Sequence, residues 1–173
     1  MRDRREAALV ERVVLPHLDA AANLARHLMQ DPALAQDVVQ EAVMRALRYA
    51  GTYRGGDGRA WLLQIVRHTA FDALARRRTA AEEPLPDGDG AFEPIDPADG
   101  PEAACSRAED LAQLDLALSR LSPELRECLV LRELEGMAYR DIARVTGLPI
   151  GTVMSRLWRA RRAMLDGPER RGA

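Results

Sequence analysis

The stretch that most restricts how this 173-residue chain can fold lies near its C-terminal end, from Tyr139 to Leu165, YRDIARVTGLPIGTVMSRLWRARRAML. A short helical segment carrying Ile142 and Ala143 stops at Thr146-Gly147, where glycine can supply the positive φ of a tight turn. Leu148 then leads into Pro149, whose φ already matches a first helical turn. Beyond it Ile150, Val153, Leu157, Ala160 and Met164 recur at steps of three and four, which predicts one apolar stripe facing a core. The other face carries Thr152, Ser155, Arg156, Arg159 and Arg162, and between Ile150 and Leu165 there are four arginines and no acid. Turn, stripe and basic face together read as a helix-turn-helix whose second helix suits the major groove of DNA. Arginine fits that task because its fork bonds guanine bidentately, worth about 1–3 kcal/mol of discrimination, while other arginines and hydroxyls hold phosphates. The plain alternative is a solvated basic face on a helical hairpin.

Composition decides the fold class around that motif. Hydrophobic residues make up 47% of the chain and aromatics only 4%, so the cores must be aliphatic. Leu, Ala and Arg favour helix, and no β-branched run is bounded by hairpin turns, so an all-α protein is expected. The formal charge of −2 hides a division along the chain: residues 1–78 carry +4, residues 79–110 carry −9 and residues 111–173 carry +3. Cys105 and Cys128 are too few for a disulfide framework and fit a reduced, cytoplasmic protein. No signal-peptide pattern opens the chain and no apolar run approaches the ~20 residues that cross a bilayer, so no membrane insertion is expected. Three scattered histidines, no phosphate-cradling glycine loop before a helix and no metal-ligand spacing leave no catalytic residue, metal or cofactor to expect.

Taken in order, residues 4–29 place Leu9, Val10, Val13 and Val14, then Leu18, Ala21, Ala22, Ala25 and Leu28, at helical spacing, with Pro16 predicting a break or kink. His17 and His27 face no set of ligands and read as surface or half-buried. Asp31-Pro32 is an N-cap and first-turn signal. The helix after it, to about Tyr49, turns Leu34, Val38, Val39, Ala42, Val43, Ala46 and Leu47 inward and leaves Asp37, Gln40, Glu41 and Met44 outside. Asp37 and Glu41 are like charges four residues apart, which weakens an isolated helix by about 0.2–0.5 kcal/mol. A basic partner, the nearby Arg45 and Arg48, or simple solvation offsets that repulsion. A glycine-rich loop, Thr52 to Gly58, precedes a long helix from Arg59 to about Arg78. Leu62, Ile65, Val66, Thr69 and Ala73 stand at its core spacing, Gln64, Arg67, His68, Phe71, Asp72 and Ala75 outside. Arg54, Arg59, Arg67 and the terminal Arg76-Arg77-Arg78 make this segment a moderate nucleic-acid surface. Residues 79–106 hold five of the ten prolines among many acids and read as an extended tether, averaging about 30 Å end to end. Helix resumes near Arg107 with Leu111, Leu114, Leu118 and Leu121. Ser122-Pro123-Glu124 then caps a helix through about Leu134 that turns Leu125, Cys128, Leu129 and Leu131 or Arg132 toward its neighbours.

With DPALAQDVVQEAVMRAL (Asp31 to Leu47), GRAWLLQIVRHTAFDALARRR (Gly58 to Arg78) and the run from Leu121 to Met164 in this order around an acidic tether, the chain resembles an extracytoplasmic-function sigma factor of bacterial RNA polymerase. The resemblance covers about residues 8–78 and 110–166. It implies a region 2 helical bundle over residues 1–78, a flexible acidic linker over 79–106, and a region 4 helix-turn-helix domain over 107–173. It implies that core RNA polymerase, through its β′ and β subunits, and promoter DNA are partners, with an anti-sigma factor as a further partner that holds the chain inactive. Asp37, Gln40 and Glu41 would meet the β′ coiled coil. Tyr53, Arg54, Arg59, His68 and Asp72 would open and read the minus-ten element, and Thr152, Ser155, Arg156, Trp158, Arg159 and Arg162 the minus-thirty-five element. Two positions depart from the family pattern: His68-Thr69-Ala70 stands in place of an Asn-Thr-Ala run, and Met154 in place of a basic residue. Trp61 reads as core rather than as a stacking platform. A different class stays open, an autonomous helix-turn-helix regulator whose N-terminal half senses or dimerises.

Overall fold

The structure, a computed structural model, describes residues 8–82 and 102–165. The described residues form helices and turns and contain no strand. The helices are α1 (Leu18–Met29), α2 (Pro32–Arg48), α3 (Gly58–Glu82), α4 (Glu102–Ser119), α5 (Pro123–Leu129), α6 (Tyr139–Thr146) and α7 (Ile150–Leu165). Most of the acidic tether expected over residues 79–106 lies outside the described residues. Its described ends are helical, because α3 continues to Glu82 and α4 begins at Glu102.

Local chemistry sets the boundaries. Pro16 breaks the first segment as expected: Val10–Val14 is a π turn and Leu15–His17 a 3-10 turn before α1 begins. Asp31 caps α2 by accepting from the backbone N–H groups of Ala33 (2.9 Å) and Leu34 (3.1 Å), and Pro32 fills the first position. Asp57 does the same for α3, accepting from the N–H of Ala60 at 3.0 Å. Ser122 caps α5, which runs on as a π turn, Val130–Leu134. Gly147 closes α6 with φ 71°, and its N–H donates to Ala143 O at 2.9 Å, so the turn before α7 needs the conformation that glycine alone adopts without strain.

The N-terminal unit is a three-helix bundle in which α1, α2 and α3 pack pairwise around Leu24, Leu28, Ala42, Leu62 and Val66. The C-terminal unit packs α7 on α5 and α6 around Leu131, Ile142, Val153 and Leu157. The two units also meet: α6 lies along α3, and α5 against α1. This second contact explains where burial exceeds the one-sided expectation. Leu63 and Ala70 of α3 are fully buried beside the predicted Leu62, Val66 and Thr69, and Arg67, read as an outer residue, is only 16% exposed. His27, expected at the surface or half-buried, is 5% exposed. The stripe on α7 is buried at Val153, Leu157 and Ala160, whereas Ile150 is 46% exposed. As the first residue of its helix, Ile150 leans back over the preceding turn.

Gly58 opens α3 against Val13, and a Cβ placed there would lie 2.9 Å from a Val13 methyl carbon and 3.3 Å from the Tyr53 hydroxyl. Val13 is buried and β-branched, so it has little room to yield. Gly58→Ala is expected to lower the stability of the chain by about 1–3 kcal/mol in urea unfolding.

Burial, with help from Arg26, holds the His27 imidazole below its ordinary value; Asp115 and Glu135 pull it up and Arg126 pushes it down. The unfolded chain therefore binds the proton first as pH falls, so the contribution of His27 to stability is full above about pH 6.5 and declines below it. Thermal melts between pH 7 and pH 5 should show that decline, and His27→Gln should flatten it.

Candidate nucleic-acid interface

Four arginines and two glutamates organise the surface where the two units meet. Glu127 of α5 is wholly buried, and its carboxylate accepts from Arg67 Nε of α3 at 2.7 Å and from Arg156 of α7 at 3.2 Å. A second Arg67 nitrogen lies 3.3 Å from the same carboxylate, and the guanidinium stacks on Phe71 with 4.6 Å to the ring centroid. Burial pushes the Glu127 carboxyl up, and the two arginines pull it back toward the ionised form. Arg59 at the start of α3 donates to the carboxylate and, at 2.9 Å, to the backbone carbonyl of Glu135, whose other carboxylate oxygen accepts from Asn23 Nδ2 at 2.6 Å. Arg126 is 4% exposed and donates to the carbonyls of Leu118, Ser119, Leu121, His27 and Leu28. It thereby serves last-turn carbonyls of both α1 and α4, which have no partner within their own helices. Every buried side-chain nitrogen and oxygen among the described residues finds a partner.

The outer face of α7 is different in kind. Gly151, Met154, Ser155, Trp158, Arg159 and Arg162 are exposed, and they fall on one side of the helix. Trp158 is 60% exposed and carries the Arg162 guanidinium over its ring at 5.3 Å. Thr152 is half-buried, and Ser155 Oγ donates to its carbonyl at 3.0 Å. Arg156 points the other way, into Glu127. Arg161 also turns from this face and pairs with Glu133 at 2.6 Å.

In the N-terminal unit Arg54 and His68 are exposed. Tyr53 packs its ring on Trp61 at 5.2 Å and donates its hydroxyl to Gly56 O at 3.0 Å, so both rings are half-buried and tied to the loop. Asp72 lies 2.8 Å from Arg45 of α2, and Arg45 also holds Glu41 at 3.0 Å. The like-charge pair of α2 is thus relieved from within by Arg45, and Asp37 and Gln40 remain exposed beside it. Cys128 is buried and unpaired, with its thiol pushed up to about 11 by burial, so it holds little thiolate at neutral pH. Glu127 and Glu135 were not singled out from sequence, and Arg67 was read only as part of a basic nucleic-acid surface. The signal available was a lone acid within the apolar run of α5, CLVL preceded by Glu127.

A glycine-turn helix-turn-helix with an open basic-aromatic face, joined in one chain to a three-helix bundle, defines a two-part DNA-directed transcription factor. Family models agree with both parts: Sigma-70 region 2 matches residues 13–80 and Sigma-70 region 4 matches residues 111–164. The chain is 37% identical over 161 residues to the RNA polymerase sigma-H factor of Pseudomonas aeruginosa, covering 88% of this chain and 82% of that protein. It is 34% identical over 149 residues to the ECF RNA polymerase sigma factor SigC of Mycobacterium tuberculosis, covering 82% and 74%. Among solved structures, the sigma factor RpoE of Bartonella quintana, in complex with the anti-sigma factor NepR, is similar with a TM-score of 0.72 and 26% identity, over 90% of this chain and 94% of that one. CnrH, in complex with the cytosolic domain of CnrY, is similar with a TM-score of 0.62 and 26% identity, over 94% and 86%. The chain belongs to the extracytoplasmic-function sigma factors of RNA polymerase. The autonomous-regulator reading gives way to this one. No described helix is long and apolar enough to cross a membrane.

Removing the Glu127 carboxylate would leave Arg67 and Arg156 without their charge partner at a buried site. Glu127→Ala is expected to lower stability by about 3–5 kcal/mol, read as a shift of the urea midpoint.

Proposed function

We propose that this sigma factor programs core RNA polymerase through three separate surfaces and that an anti-sigma protein holds it inactive by covering two of them. The exposed acidic face of α2, with Asp37, Gln40 and Glu41, meets the β′ subunit. The loop before α3, with Tyr53 and Arg54, and the outer positions Arg59, His68 and Asp72 of α3 open and read the minus-ten element. The outer face of α7 reads the minus-thirty-five element, with Ser155, Trp158, Arg159 and Arg162 toward the groove and Thr152 beside them. Arg156 supports that helix by holding Glu127 and contacts DNA only at its edge. The unwound bases are read on their exposed edges, for which an exposed imidazole at position 68 offers a donor and an acceptor.

The observation that carries this reading is the open face of α7: a helix behind a glycine turn whose exposed side holds an aromatic ring, a hydroxyl and two arginines, with no acid. The kinship with the sigma factor RpoE, bound to the anti-sigma factor NepR in its solved structure, supports the proposed inhibitor.

Run-off transcription with and without core polymerase tests the whole. Specific transcripts should appear only when both proteins are present, and the purified chain alone should bind duplex DNA weakly and as a monomer. Arg159→Ala should lower initiation by about 5- to 100-fold at a promoter with a minus-thirty-five element, without weakening association with core. Undiminished initiation by that variant would remove α7 as the reading helix.

A further inference from the structure

The outer face of α7 is not uniformly polar. Ile150, Met154 and Trp158 recur at steps of four and are 46%, 52% and 60% exposed. Each step of four advances the position by only about 40° around the axis, so the three side chains are neighbours and form one apolar ridge. The ridge rises about 12 Å along the helix, close to the rise of about three base pairs. Beside it lie Gly151, Ser155 and Arg162, and beyond them Arg159, all exposed. A Cβ added at Gly151 would meet nothing within 4 Å, so no neighbour in the fold requires a glycine there, and alanine would serve the helix better. The bare backbone instead lets a surface outside the chain come close to the first turns of α7.

Single apolar groups on a surface are ordinary, but a ridge of three on the same face as two arginines is not. Its surroundings choose the occupant. Between Ile150 and Leu165 there is no acid, and Arg159 and Arg162 stand on the same exposed side, so whatever covers the ridge must also suit cations. The major groove of DNA offers both kinds of group at once. Phosphates and guanine edges suit the arginines, and the groove has one apolar feature, the C5 methyl group of thymine. In a helix-turn-helix the N-terminal residues of the second helix reach the base edges, and Met154 stands in that part of α7.

Resting on the reading of α7 as the minus-thirty-five helix, we propose that Met154 is a specificity-determining residue that recognises a thymine by its methyl group, with Trp158 flanking the contact. Its thioether is flexible and polarisable and brings no hydrogen-bond donor for a purine edge to accept. Cytosine in the same place lacks the methyl group and sets its N4 amino group against an apolar side chain. A basic residue at position 154 would reward guanine or phosphate instead, so methionine changes which base the helix prefers.

The test is binding of the complete holoenzyme, core polymerase with this chain, to a promoter that it transcribes. Each thymine of the minus-thirty-five element, on either strand, is replaced in turn by deoxyuridine, which removes one methyl group and keeps the base pairing. At one or two adjacent thymines this should weaken the complex by about 3- to 5-fold, the effect of one buried methyl group. Met154→Ala should weaken the unmodified complex and abolish the sensitivity at that thymine, with unchanged thermal melts because the side chain is half exposed. Met154→Leu should restore the sensitivity, whereas Arg159→Ala should weaken the complex and leave the sensitivity intact. A holoenzyme indifferent to deoxyuridine at every thymine overturns the inference, as does an element without thymine or a Met154→Ala variant with wild-type sensitivity. Loss of association between Met154→Ala and core polymerase would assign the ridge to a protein contact and overturn it as well. If neither Arg159→Ala nor Met154→Ala weakens the promoter complex, α7 is not the reading helix, and the reading beneath the inference falls with it.

Discussion

The arrangement of the whole molecule turns on one buried charge. Glu127 has no contact with water, and an isolated carboxylate in such a place is disfavoured by several kcal/mol. Two arginines from different helices, Arg67 and Arg156, make the position tenable. Arg156 fixes α7 on α5 within the helix-turn-helix, and Arg67 fixes α3 on the same carboxylate from the other unit. The preceding residue, Arg126, carries the opposite charge and departs from α5 by about 100° around the axis, which is what successive helical residues must do. It reaches the carbonyl ends of α1 and α4. A short helix with adjacent opposite charges therefore joins the recognition helix, the tether-side helix and the N-terminal bundle.

The chain has 25 basic residues, and all are arginine. That choice matters because the internal roles and the external role call for the same group. Arg126 serves five carbonyls at once, and Arg67 spans both oxygens of a carboxylate while lying flat on Phe71. A lysine ammonium has neither the fork nor the flat face. On the outer side of α7 the same planar group suits guanine edges and phosphates, and Arg162 also lies on Trp158. Position on α7 distributes its arginines: Arg156 and Arg161 meet Glu127 and Glu133, whereas Arg159 and Arg162 lie on the exposed face.

The helical order, the caps at Asp31 and Ser122, the glycine turn and the stripe from Val153 to Ala160 were legible in the sequence because each is a local signal, set by residues within one or two turns. So was the relief of Asp37 and Glu41, one of whose readings named Arg45. The partners of Arg67, Arg59 and Arg156 were not legible, since they lie 60, 76 and 29 residues away along the chain. An amphipathic pattern identifies one buried face, and α3 has two. Its second face is polar at Gln64 and Arg67, so periodicity assigned it to solvent, although Leu63 and Ala70 beside it are fully buried. Arg156 stood on the face opposite the stripe and therefore read as a DNA contact, yet on a helix packed against α5 and α6 its position is already turned inward.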